Sequence, residues 1–347
     1  MKMKRTTRLT SSFLVAAATL SAAGSGVMAG GAEPKASVVT IVRKDPRFDA
    51  LFAKDAVVEK LADGYAWTEG PVWDKAKSRL LFSDIPGNRI ISWAEGKEAE
   101  VFLKPSGYTG TAEFTGREPG SNGLAFDKEG RLLLCQHGDR RIARLEADGK
   151  FTTLADRFEG KRLNSPNDLI LLAGGDILFT DPAYGLPKTF DDPARELPFT
   201  GVYRPTPDGT VKLLVKEQTA PNGLSLTPDG KTLYVANSDP KHAVWMAYEM
   251  KADGTLGPGR VFFDATAWVG PTKPGLPDGM KLDVKGNLFA TGPGGLHVFA
   301  PDGTLLGTID TGVPTANCGW GGDGSILYIT ANTALLRVKT TTKGQGF

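Results

Sequence analysis

The stretch Pro221-Asn-Gly-Leu-Ser-Leu-Thr-Pro-Asp-Gly-Lys-Thr-Leu-Tyr-Val-Ala-Asn237 decides how the rest of the chain is read. A polar anchor, Asn222, precedes Gly223; an apolar run, a tight turn at Pro228-Asp-Gly and a second apolar run follow. Short apolar runs bounded by turn formers predict paired strands, because helical periodicity is missing and Gly and Pro interrupt any longer element. The grammar returns at Glu69-Gly-Pro-Val-Trp-Asp, Ser121-Asn-Gly-Leu-Ala-Phe-Asp, Pro166-Asn-Asp-Leu-Ile-Leu, Pro277-Asp-Gly-Met-Lys-Leu-Asp and Ala316-Asn-Cys-Gly-Trp. The anchors stand at 69, 122, 167, 222, 278 and 317, with gaps of 53, 45, 55, 56 and 39 residues.

A period of about 40–50 residues built on short strands is that of propeller blades with four strands each. The expectation is an all-β fold, a six-bladed β-propeller of four-stranded antiparallel blades. Too few residues follow the sixth anchor for four strands, so Val57 to Trp67 is expected to complete the blade that contains Ile326 to Val338. The N-terminal strand would thus close the ring and leave no open edge. Two segments escape the repeat, Lys104 to Glu118 and Ala183 to Thr200. Loops of this length serve as lids, as binding loops or as plain surface insertions.

Composition agrees with a soluble, turn-rich chain: 347 residues, 40% hydrophobic and 23% charged, with 43 Gly and 23 Pro. The first residues read differently. Lys2, Lys4, Arg5 and Arg8 precede the apolar stretch Phe13 to Ala23, and Val27-Met-Ala29 supplies small residues for cleavage. The expectation is a signal peptide over 1–29, one domain over 30–347, and a periplasmic or secreted product, with a retained anchor as the alternative. The apolar stretch falls short of the ~20 residues that span a bilayer. Loss of 1–29 leaves 37 Lys and Arg against 39 Asp and Glu, so no basic patch for nucleic acid is expected, and no membrane association after cleavage. Cys135 and Cys318 sit in apolar strand stretches and read as two buried free thiols.

In a propeller the innermost strands converge on a central channel, so Glu69, Asn122, Asn167, Asn222, Asp278 and Asn317 are expected at one mouth. Asn and Asp before Gly also make turns, but Glu69 before Gly-Pro is a poor turn former. Oxygen donors without His or Cys suit a hard cation, Ca²⁺ first, with Zn²⁺, Mn²⁺ or Mg²⁺ as other divalent candidates. Zinc favours nitrogen and sulfur, and His137, His242 and His297 have no metal spacing. No Gly-x-Ser-x-Gly elbow is present, and Ser165 precedes a proline without an assigned histidine. Asn122, Arg162, Tyr184 and His137 are the candidates for binding substrate.

Glu69-Gly-Pro-Val-Trp, Ser165-Pro-Asn-Asp, Pro221-Asn-Gly-Leu and Pro277-Asp-Gly-Met-Lys-Leu-Asp resemble the metal motifs of the SMP-30/gluconolactonase/luciferin-regenerating family. Ser106-Gly-Tyr-Thr-Gly, Pro119-Gly-Ser-Asn-Gly-Leu, Phe179-Thr-Asp-Pro-Ala-Tyr-Gly-Leu and Gln136-His-Gly-Asp-Arg-Arg-Ile resemble its bacterial gluconolactonase branch. The resemblance runs in order over about residues 55–340. It implies one divalent ion on Glu69, Asn167, Asn222 and Asp278, a lactone carbonyl polarised by it, and Asp278 as base or nucleophile. The implied substrate is a sugar lactone, D-glucono-1,5-lactone opening to gluconate. A broad esterase or organophosphate hydrolase of the same fold, and a calcium-stabilised propeller that only binds, are the alternatives.

Overall fold

Leu80, Leu81 and Phe82 follow one another along a strand, and all three are fully enclosed. Alternate side chains point to opposite faces of a strand, so both faces must be covered, and sheets stacked face to face do this. In the computed structural model, which describes residues 39–206 and 209–347, six sheets stack in this way around a ring.

Blade 1 runs Thr68–Asp74, Arg79–Asp84, Arg89–Trp93 and Glu100–Leu103 from channel to rim, and blade 2 runs Ser121–Phe126, Leu132–Gln136, Arg141–Leu145 and Phe151–Ala155. Blade 3 comprises Leu169–Leu171, Ile177–Asp181, Gly201–Pro205 and Val211–Val215, and blade 4 Pro221–Leu226, Thr232–Asp239, His242–Glu249 and Arg260–Asp264. Blade 5 comprises Met280–Leu282, Leu288–Gly292, Gly295–Phe299 and Leu305–Asp310. In blade 6, Thr315–Gly321, Ile326–Ala331 and Ala334–Lys339 are joined by Val58–Ala62 on the rim. The inner strands touch in order, and that of blade 6 returns to that of blade 1.

The closure follows the sequence reading: Val58 pairs with Val338 and Ala62 with Leu335, antiparallel. One feature departs from it. Blade 5 carries a fifth strand, Thr40–Arg43, antiparallel to Leu305–Asp310. The β-branched pair Thr40-Ile41 extends the blade's open edge, and the Pro46–Ala50 turn behind it seats Phe48 and Phe52 against Phe289 and Leu306. This clip lay outside the repeat and left no periodic signal.

All six blades belong to the unit Ser37–Phe347. The expected signal segment 1–29 and the domain start at residue 30 lie outside the described residues. Among the described residues no helix is long and apolar enough to cross a membrane. Cys135 and Cys318 are buried and unpaired, as expected.

Candidate active site

The inner strands leave their ladders where the anchors stand. Register shifts fall between Glu69 and Val72, Ser121 and Leu124, Pro221 and Leu224, and Thr315 and Asn317. A bulge re-aims the side chains within it, and Asn122 and Asn222 stand inside two of these, while Glu69 and Asn317 stand at the edge of the other two. The glycine that follows four of the six anchors has a second task. A Cβ on Gly70 would stand 2.2 Å from the Asn122 carbonyl oxygen, and one on Gly223 2.4 Å from that of Asp278. These glycines let neighbouring inner strands approach closely enough to bring the anchors together.

One cavity of about 480 Å³ opens at this mouth, lined by Glu69, Asn122, Asn167, Asn222, Asp278 and Tyr184. Trp67, Ile85, Val269 and Leu276 form its apolar side, and Glu118 and Ser238 add polar groups. Four anchors drawn from blades 1, 3, 4 and 5 as expected metal ligands therefore share one wall. The sixth anchor, Asn317, stands behind it: its Nδ2 donates to Glu69 Oε2 at 3.0 Å while its Oδ1 accepts from Cys318 N. Glu69 Oε2 also accepts from Gly70 N at 2.7 Å, which leaves Oε1 for the cavity. Asn222 Nδ2 donates to Ser238 Oγ at 3.0 Å, so its amide oxygen is the atom left for a ligand. Ser238 Oγ in turn donates to the Pro277 carbonyl, tying blade 4 to the residue before Asp278.

Burial dominates the electrostatics of this wall. Burial pushes the Glu69 carboxyl up to about 8, against the pull of the Gly70 N–H and the Asn317 amide. Asp278 is held well above the usual carboxylate range by burial first, then by the charges of Glu69, Asp168 and Glu118. Asp168 is raised by burial too, although Lys281 draws it down. Asp278 Oδ1, Asn122 Oδ1 and Asp168 Oδ2 are enclosed without a hydrogen-bond partner. Enclosed acceptors without donors are costly unless a ligand satisfies them, and an all-oxygen donor set fits a hard dication. Among the described residues no three His, Cys, Asp or Glu side chains form a metal group; the fit here rests on two carboxylates and two amides together.

Two expected substrate residues lie elsewhere. Arg162 is off the cavity, its guanidinium donating to the Asp139 carbonyl and its backbone N–H to Glu196. It sits in a two-residue hairpin, Arg157–Phe158 with Lys161–Arg162, that belongs to no blade. His137 is fully buried behind the wall, its Nδ1 3.0 Å from Glu118 Oε2. Tyr184 is on the wall, edge-on to Phe190 with ring centroids 5.2 Å apart. Both long loops turn out to supply wall residues, Glu118 from one and Tyr184 from the other. Sequence reasoning missed Glu118, Asp168 and Ser238. Only Asp168 had a signal, since it stands where Gly follows Glu69, Asn122, Asn222 and Asp278.

The model of the SMP-30/Gluconolactonase/LRE-like region matches residues 67–333. The chain belongs to this family. A gluconolactonase from Zymomonas mobilis is 38% identical over 312 residues, 88% of this chain and 87% of the relative. A pentonolactonase from Haloferax volcanii is 29% identical, over 76% of this chain and 80% of the relative. The solved structure of a gluconolactonase from Xanthomonas campestris superposes with a TM-score of 0.74 at 34% identity, over 86% of this chain and 94% of that one. The family match spans all six anchors, so the cavity lies inside the shared region.

Proposed function

We propose that the protein hydrolyses sugar lactones, D-glucono-1,5-lactone first among them, with calcium held by Glu69, Asn167, Asn222 and Asp278. The observation that supports this is the convergence of four oxygen-bearing side chains from four blades on one cavity, with Asp278 Oδ1 enclosed and unpartnered there. The relatives named for lactone hydrolysis support the reaction class. A volume of about 480 Å³ falls in the range of small-molecule pockets.

A hard dication at this point supplies Lewis-acid polarisation of the lactone carbonyl and charge for the developing oxyanion, worth several kcal/mol. The chain's own groups do the rest. Glu69 and Asp278 supply the two negative charges, and Asn167 and Asn222 neutral oxygens. Asn317 and the Gly70 N–H hold Glu69 in place, and Ser238 orients Asn222. Asn122 and Tyr184 face the substrate's hydroxyls, and the apolar side excludes bulk water. Asp278 orients the attacking water, but a carboxylate beside a dication is a weaker base. Proton transfer then falls to a carboxylate that the ligand set leaves free. Export to the periplasm or beyond, after loss of residues 1–29, belongs to the same reading.

The test is a panel of aldonolactones, aryl esters and organophosphates offered to chelated protein with each divalent ion restored in turn. Lactone turnover restored best by Ca²⁺ is the expected result. Turnover of esters or organophosphates alone would reassign the substrate, and binding without turnover of any of them would leave a recognition propeller.

A further inference from the structure

We propose that Glu118 is the general base of lactone opening and that His137, buried behind it, is its positioning residue. The inference rests on the lactonase reading and adds the group that moves the proton. Glu118 lines the cavity with Asp278 and Tyr184 but is outside the proposed ligand set, and its side chain is 29% exposed. Its Oε2 is enclosed 3.0 Å from His137 Nδ1, and neither of these atoms has a hydrogen-bond partner among the described residues. The other carboxylate oxygen, Oε1, is therefore the one presented to the cavity. Its charge reaches both Asp278 and Tyr184.

His137 cannot swing in to do the work itself. It is wholly enclosed, its backbone N–H donates to the Gly120 carbonyl, and a Cβ on Gly185 would come within 2.6 Å of its own Cβ. The segment that carries Glu118 is fastened as well. Tyr108 N donates to the Pro119 carbonyl at 2.6 Å, and Asn88 Oδ1 accepts from the backbone of Ser106 and Gly107. It is thus a fixed wall, and Glu118 is held where a base must wait.

The step balances with one carboxylate. Glu118 takes a proton from water as the water oxygen bonds to the lactone carbonyl carbon. The bond from that carbon to the ring oxygen then breaks, its electron pair goes to the ring oxygen, and the proton on Glu118 follows. The open hydroxy acid leaves, and Glu118 is again a carboxylate.

The experiment uses the full chain saturated with Ca²⁺ and assayed on D-glucono-1,5-lactone. Glu118→Gln is expected to lower kcat by about 10²–10⁴-fold, the usual contribution of general acid–base catalysis. KM, and Ca²⁺ affinity by calorimetry, are expected to stay within about threefold of the native protein. In Glu118→Ala, added formate is expected to restore about tenfold of the lost rate, which a structural role would not allow. His137→Gln is expected to lower kcat by about tenfold and to shift the acid limb of the pH profile, with KM unchanged. Should Glu118→Gln not fold, Glu118→Asp keeps the charge, and a kcat reduced about tenfold at unchanged Ca²⁺ affinity supports the assignment. Full activity in Glu118→Gln, or a loss matched by weakened Ca²⁺ binding, overturns it. A native protein inactive on every lactone would instead overturn the reading beneath it.

Discussion

Asn317 and Glu69 are 248 residues apart in sequence and hydrogen-bonded in the fold, Nδ2 to Oε2 at 3.0 Å. The bond spans the closure of the ring, from the inner strand of blade 6 to that of blade 1. A hydrogen bond to a buried charge contributes about 1.5–3 kcal/mol. Asn317→Ala is therefore expected to weaken Ca²⁺ binding by about tenfold or more, as read by calorimetric titration. Unchanged affinity would show that Gly70 N–H alone orients Glu69.

The glycines after the anchors make a second prediction. In Gly223→Ala the new methyl meets the Asp278 backbone at 2.4 Å, where nothing flexible can give way. A loss of about 1–3 kcal/mol in urea unfolding is expected, with weaker Ca²⁺ binding. Gly174→Ala, with nothing within 4 Å of the methyl, is expected to stay within about 0.5 kcal/mol.

The stability of the chelated protein depends on pH. Glu69 has a folded pKa of about 8 against an ordinary value of 4.5, so the folded state holds its proton more tightly. Its contribution is intact below the ordinary value and is lost as pH rises through the folded one. The melting temperature of chelated protein is expected to fall by several degrees between pH 4.5 and about 8. Glu69→Gln is expected to reduce that slope, Asp278 and Asp168 keeping the remainder, and excess Ca²⁺ to offset it by binding the ionised form. A slope in Glu69→Gln as steep as in the native protein would trace the effect to other groups.

Ring closure can be tested by where the chain begins. A chain begun at Ser37 keeps both N-terminal strands and is expected to unfold with the native melting temperature. A chain begun at Tyr65 lacks Val58–Ala62 and exposes the edge of Ala334–Lys339. Unpaired edges recruit other chains, so light scattering is expected to show aggregation.

The sequence alone determined the blades and the identity of the polar ring. Each blade is a local pattern of anchor, apolar run and turn, and repetition made that pattern visible from Glu69 to Asn317. It also placed four candidate ligands on one cavity, because inner strands of a closed ring have only one channel to face. Tertiary structure decided what stands around them. His137 was named from sequence and lies behind the wall; Glu118, at the end of a loop with no repeat, lies in front of it. Arg162 turned away into its own hairpin, and Asn317 became a partner of Glu69. That Asp168 Oδ2 is enclosed without a hydrogen-bond partner was visible only in the fold. The physical reason is common to all of these. Strand pairing and burial of alternating side chains are local and periodic, so they leave a trace in sequence. Which loop side chain reaches the cavity depends on contacts between segments far apart in the chain, and these have no period to read.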